Sequence, residues 1–177
     1  FGACHHQKIV VADDALAFCG GIDATEDRWD TPDHLPNDPR RLRKDGTPSD
    51  PWHDATSAMS GPAAAALGEL SRRRWFRATG DEIARPEDAP MSEWPEDLPI
   101  DAEGVEVGIA RTEPPFDEEP LINEIERLYI AGIQSARDYI YIESQYLAAA
   151  SVCDALKARL AEEDGPEIVI INPRDAE

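Results

Sequence analysis

HHQKIVVADDALAFCGG, residues 5–21, is the stretch on which the reading of this chain turns. Its two runs, KIVVAD and ALAFCGG, are β-branched or apolar and are separated by Asp13-Asp14. That composition predicts two adjacent strands joined by a tight acidic turn. Residues two apart on an extended segment project to the same side, so His6 and Lys8 bring an imidazole and an ammonium toward one point. Such a pair suits phosphoryl transfer. A neutral imidazole can attack phosphorus, and the lysine stabilises the charge spread over the non-bridging oxygens. Neither role calls for a metal, and no cofactor is expected. His5 faces the opposite side of the strand and reads as an ordinary packed or exposed histidine. Gly20 and Gly21, lacking side chains, let backbone approach a phosphate closely.

Working outward, residues 31–51 are rich in Pro, Asp and Gly without periodicity, which predicts a surface loop. ATSAMSG, residues 55–61, is a candidate strand. Pro62 suits the first turn of a helix, and the following run to residue 79 has helical composition with an apolar stripe at Leu67, Leu70 and Trp75. Residues 80–104 are acidic and proline-rich and read as an exposed connector. VEVGIAR, residues 105–111, alternates like a strand. Residues 120–138 place Leu121, Ile125, Leu128, Ile133 and Ala136 at helical spacing. YIYIESQYL, residues 139–147, reads as a buried strand, residues 151–164 as a helix and residues 166–173 as a further strand. This alternation predicts an α/β class with parallel neighbours in the sheet.

The chain has 177 residues, 41% hydrophobic content and a formal net charge of -20, enough for one core or two halves of a shared one. The charge argues against a broad basic face for nucleic acid, so none is expected as a partner. Two local basic runs, Arg40-Arg41-Leu42-Arg43-Lys44 and Arg72-Arg73-Arg74, could meet a phosphate or an anionic headgroup, with a solvated loop and a solvated helix face as the plainer readings. Cys4, Cys19 and Cys153 are an odd number without C-x-x-C spacing, which points to neither a disulfide framework nor a zinc site. No apolar run reaches membrane-spanning length and no signal peptide is visible, so a soluble or peripheral protein is expected, its compartment unassigned.

His6, Lys8, Asp13, Gly20 and Gly21 together spell H-x-K-x4-D-x6-G-G, which resembles the HKD signature of the phospholipase D superfamily. GGIDATEDRWDTPDH, residues 20–34, resembles the segment that follows the first HKD motif in phosphatidylcholine-hydrolysing phospholipases D. PWHDATSAMSGPAA, residues 51–64, resembles their PWHD segment, and IYIESQYL resembles the stretch before their second motif. The resemblance implies a mixed sheet flanked by helices, here part of a pseudo-twofold domain of two repeats. Residues 1–79 would be the C-terminal part of the first repeat, 80–104 a connector and 105–177 the N-terminal part of the second.

The same resemblance implies hydrolysis of glycerophospholipids to phosphatidate and free alcohol through a phosphohistidine, with transphosphatidylation as a variant. His6 would be the nucleophile and Lys8 a phosphate ligand. Asp13 would hold the strand turn, and Asp54 would orient the His6 imidazole through its other ring nitrogen. Glu143 and Gln145 would sit near the substrate. Asp23 stands where many superfamily members carry Asn, and an ionised carboxylate there would repel a phosphate. His34 could reach the pocket rim. Trp29, Trp52, Trp75 and Trp94 could line an acyl groove, although packing is the usual role of an isolated tryptophan.

No second H-x-K follows residue 8, so the acid/base partner that the family requires is not in this sequence. Phe1 stands five residues before the reactive histidine, which suggests a fragment, inactive alone. The expected partners are a phospholipid at a membrane surface and either the missing second HKD half or a second copy of the chain. Alternatives are another HKD phosphodiesterase or transferase, such as a nuclease or phospholipid synthase, or an incomplete module that binds phosphorylated ligands or partners.

Overall fold

The computed structural model describes residues 6–87 and 94–173; the readings of His5 and Cys4, and the middle of the acidic connector, lie outside these residues. The chain divides into two compact units, Phe1–Val107 and Gly108–Glu177.

In the first unit, strand β1 (Lys8–Ala12) and strand β2 (Leu16–Gly20) form the expected hairpin. The turn closes through the Ala15 N–H donating to the Ala12 carbonyl at 2.9 Å, with Asp13 at φ 51° and Asp14 at φ 56°. Two left-handed central residues give a type I′ turn, whose twist matches that of the strands. Aspartate tolerates this conformation better than most residues. Strand β3 (Thr56–Ser60) adds antiparallel to β2, giving the order β1-β2-β3.

Helix α1 (Pro62–Thr79) begins with proline in its first turn and stops at Gly80, whose left-handed φ of 79° lets its N–H reach the Phe76 carbonyl. It lies on this sheet and buries Ala64 and Leu67 with Ala17 of β2. The expected stripe is only partly realised. Leu67 is 2% exposed and Leu70 is half-buried, but Trp75 is 49% exposed. The contact side of the helix is narrow and built from small residues, which lets α1 approach the sheet closely and leaves the indole beyond it. Gly68 is part of this approach: a Cβ there would run into the Asp14 carboxylate.

Asp14 accepts two hydrogen bonds from Arg72 of α1, both 2.8 Å, with both side chains largely buried. The Arg72 hydrogen bonds hold the Asp14 carboxyl below its ordinary range. This paired fork docks the hairpin turn on the helix. Arg72 is therefore a structural residue and not a solvated basic-face residue.

Residues 31–51 form a loop without strands or helices, as expected, but its centre is not solvated. Arg41 is 2% exposed. Its guanidinium donates to the Ser49 carbonyl at 2.9 Å, Asp30 Oδ1 at 2.8 Å, and the Leu35 and Pro36 carbonyls at 2.8 and 3.1 Å. A buried charge is tolerated only when its donors are satisfied in this way. The basic run at 40–44 thus contains a hub that fastens the loop, which corrects its reading as a solvated loop. Arg40 pairs with Asp38, whose carboxyl is lowered to about 2 by the Arg40 side chain and by the Arg40 N–H.

That shift gives a pH expectation. Asp38 is depressed below the unfolded value of about 3.9, so its stabilising contribution is complete above about pH 4 and disappears between about pH 4 and 2. In acid titrations followed by tryptophan fluorescence, Asp38→Asn is expected to show a smaller loss of stability across that window than the unmodified chain.

VEVGIAR, which runs from the end of the first unit into the second, is not a strand. The backbone there is irregular, and only Thr112–Glu113 (β4) pairs with Ile122–Asn123 (β5). Alternation alone specifies no partner, and a strand needs one for its N–H and C=O groups. Helix α2 (Glu124–Ser135) follows, then β6 (Tyr139–Glu143), α3 (Ala150–Leu160) and β7 (Glu167–Ile171). β6 and β7 pair in parallel across the α3 crossover, the strand–helix–strand unit that the sequence predicts. Ile133, Ile140, Val152 and Leu156 form its core.

Three expectations are corrected here. Of the apolar residues on α2, Ile133 is buried, whereas Leu121 before the helix and Leu128 within it are 58% and 61% exposed. β6 is buried on one face only, with Tyr139, Tyr141 and Glu143 outward. The described strands form three separate small sheets, with a parallel pairing only between β6 and β7, instead of one mixed sheet. The class is mixed α/β.

Candidate active site

His6 immediately precedes β1 and Lys8 opens it. Their side chains meet as the two-residue spacing predicts: Lys8 Nζ is 2.6 Å from His6 Nε2. An ammonium has donors only, so Nε2 receives this hydrogen bond on its lone pair, and the ring proton of the neutral imidazole then sits on Nδ1. Lys8 Nζ also lies 3.3 Å from Asp23 Oδ1, with the lysine side chain 15% exposed. Asp23 is a contact that sequence reasoning missed. The signal was present in its position two residues beyond the glycine pair, but reach across to Lys8 depends on how the chain leaves β2.

The glycine pair lies beside Lys8. Strand register sets Lys8 opposite Gly20, and Gly20 opposite Thr56. A Cβ on Gly20 would collide with the Ala55 carbonyl oxygen, Thr56 Cα and Thr56 Oγ1. On Gly21 it would strike the Asp54 carboxylate, and the Gly21 N–H donates to the Ala55 carbonyl at 3.0 Å. The glycines therefore admit residues 54–56 of their own chain against the end of β2. That close approach brings Asp54 to the same end of the sheet as His6 and Lys8.

Asp54 Oδ1 accepts the Ala55 N–H at 2.7 Å. Among the described residues it makes no direct hydrogen bond to His6, whose imidazole is engaged by Lys8. Asp13 sits in the hairpin turn at the far end of β1, roughly 17 Å from Lys8 at about 3.4 Å per residue. Its neighbour Asp14, which sequence reasoning passed over, makes the ion pair that fastens that turn.

The rest of the RWD segment is committed to its own loop. Asp30 accepts the Thr31 N–H and the Arg41 guanidinium, and it stands 3.2 Å from His34 Nδ1. The Thr31 N–H leads the causes that hold the Asp30 carboxyl low. Arg28 stacks on the Trp52 ring at 3.6 Å from its centroid, and Arg40 lies 5.8 Å from that of Trp29. Trp94 donates to the Leu98 carbonyl. Glu143 and Gln145 belong to the second unit: Glu143 ends β6 and accepts the Tyr141 hydroxyl at 2.5 Å, and Gln145 lies in the bend beyond it. Among the described residues, no three His, Cys, Asp or Glu side chains gather as a cation cage, and no helix is long and apolar enough to cross a membrane.

Fold and site together describe a mixed α/β protein with an imidazole–ammonium pair at the open end of a three-stranded sheet. Comparison with known proteins then places the chain beside the plant phospholipases D. It is 29% identical over 198 residues to phospholipase D alpha 1 of Vigna unguiculata and 30% identical over 198 residues to that of Nicotiana tabacum, in each case covering 83% of this chain and 24% of the relative. Phospholipase D beta 1 of Arabidopsis thaliana is 29% identical over 204 residues, covering 83% of this chain and 19% of the relative. No protein-family model matches the chain. These similarities support a phospholipase D-like relationship, and the chain spans about a quarter of the length of the alpha-type relatives it matches.

Proposed function

We propose that this chain is the part of a phospholipase D-type phosphodiesterase that carries the first HKD motif, acting on glycerophospholipids. The observation that carries the reading is the 2.6 Å contact between His6 Nε2 and Lys8 Nζ beside the glycine pair. A phosphate arriving there takes over the lysine hydrogen bond and frees the Nε2 lone pair. Nε2 then attacks phosphorus, forming a P–N bond while the bond to the headgroup oxygen breaks. The leaving alcohol takes its proton from a second histidine, which then removes a proton from water as that water displaces the phosphatidyl group from His6. An alcohol in place of water gives transphosphatidylation.

On this reading Asp54 serves the first step by accepting the Nδ1 proton of His6 in a hydrogen bond, orienting the ring. The second histidine comes from the second repeat of the whole protein or from another copy of this chain. Residues 1–79 and 105–177 then represent parts of two repeats joined by the connector. The chain by itself is inactive on this reading.

The test is to trap labelled phosphate on the whole protein that contains this segment. His6→Asn is expected to abolish the adduct and to lower headgroup release at least about 10³-fold. Failure to label the unmodified protein during turnover would remove His6 as the nucleophile. Rapid lipid hydrolysis by a monomer of the 177-residue chain would overturn the half-site reading.

A further inference from the structure

We propose that Asp23 makes this site selective for singly charged phosphodiesters over doubly charged phosphomonoesters, an inference that rests on the phosphodiesterase reading above. Lys8 is the cation that would meet the phosphate, and its ammonium is shared. One side faces His6 Nε2 at 2.6 Å and another faces Asp23 Oδ1 at 3.3 Å. The Asp23 side chain is 42% exposed, so its carboxylate stands at the open side of the lysine, where a ligand oxygen would also approach.

The formal charges of Lys8 and Asp23 cancel. The Asp54 carboxylate lies against Gly21 next to them. Arg28, five residues along the chain from Asp23, is engaged by Asp27 and stacked on Trp52. The site therefore offers hydrogen-bond donors and a local positive point without a surplus of positive charge.

Phosphodiesters and phosphomonoesters differ by one ionisation. A diester carries one negative charge at neutral pH, whereas a monoester, with a second pKa of about 6, carries nearly two. Repulsion from a fixed carboxylate scales with ligand charge, so it acts about twice as strongly on the monoester in free-energy terms. Asp23 thus weakens binding of every phosphate but weakens that of the monoester more. In the proposed hydrolysis the substrate is a diester. Water adds its oxygen to phosphorus, the P–N bond to His6 breaks, and a monoester with one more ionisable proton results. The residue that tolerates the substrate then promotes departure of the product.

The test uses dimethyl phosphate and methyl phosphate as soluble probes, titrated against the protein by phosphorus NMR at about pH 7.5, well above the second phosphate pKa of about 6. Asp23→Asn is expected to raise methyl phosphate affinity about tenfold and dimethyl phosphate affinity about threefold, as repulsion of a dianion and a monoanion requires. Asp23→Glu retains the charge and is expected to keep the unmodified ratio. Equal gains for both probes in Asp23→Asn, or none, would overturn the selectivity while leaving the phosphate site intact, provided that Lys8→Ala weakens both probes. Binding that is indifferent to Lys8→Ala would overturn the phosphate site and the selectivity together.

Discussion

Replacing Arg41 with methionine is expected to destabilise the first unit by about 3–5 kcal/mol, the usual effect of breaking a buried, hydrogen-bonded ion pair by removing one partner. Arg41 is 2% exposed, and its guanidinium satisfies Asp30 Oδ1 and the carbonyls of Leu35, Pro36 and Ser49. Methionine fills much of the volume but donates nothing, so three carbonyls lose the Arg41 donors inside the loop and Asp30 Oδ1 keeps only the Thr31 N–H. Chemical denaturation followed by tryptophan fluorescence reads the effect, because Trp29 and Trp52 flank the loop. Lysine at this position is expected to recover only a minor part, since a single ammonium cannot reproduce the planar fork. A methionine variant within about 0.5 kcal/mol of the unmodified chain, the range of ordinary surface substitutions, would show that the hub does not hold the loop.

The second large effect is expected at Gly20. A methyl group there meets the Ala55 carbonyl oxygen and Thr56 Cα, both main-chain atoms, so relief requires β3 to move away from β2 rather than a side chain to rotate. Overpacking of this kind costs typically 1–3 kcal/mol, and main-chain collision places Gly20→Ala at the upper end, about 3 kcal/mol. The function is expected to fall with it. Thr56 is the opposite residue in the ladder, and displacing it carries Asp54 and Ala55 away from Gly21 and the end of β2. Thermal unfolding measures the first consequence, and dimethyl phosphate titration of the still-folded variant at low temperature measures the second. Gly21→Ala is expected to be milder, because its added carbon meets the Asp54 side chain, which can turn away. Equal effects at the two positions would contradict this division between main-chain and side-chain obstruction.

Much of the first unit was legible before any coordinates. The hairpin, its acidic turn, the third strand, the proline-started helix and the convergence of His6 with Lys8 all follow from short-range rules of strand alternation, turn chemistry and helix entry. In the second unit the same rules located α2, β6, α3 and β7 within a few residues. They failed where a pattern is necessary but not sufficient. VEVGIAR alternates but has no ladder partner, and Leu128 lies at helical spacing yet 61% exposed, because periodicity marks a face and does not supply what covers it.

The polar contacts were the least legible. Nothing in Arg40-Arg41 distinguishes the half that pairs at the surface from the half that is buried. Asp13-Asp14 conceals in the same way which carboxylate reaches Arg72, 58 residues away. Asp23 drew notice only as an unfavourable neighbour for phosphate, whereas it pairs with Lys8.

By itself the amino-acid sequence determined that an imidazole and an ammonium meet at the start of β1, because spacing along an extended strand fixes which side chains share a face. Tertiary structure alone decided which charges neutralise one another: Arg41 with Asp30, Arg72 with Asp14, Lys8 with Asp23. The reason is physical. Coulombic and hydrogen-bond partners are chosen by distance and burial in three dimensions, and segments far apart in sequence acquire those only when the chain closes on itself.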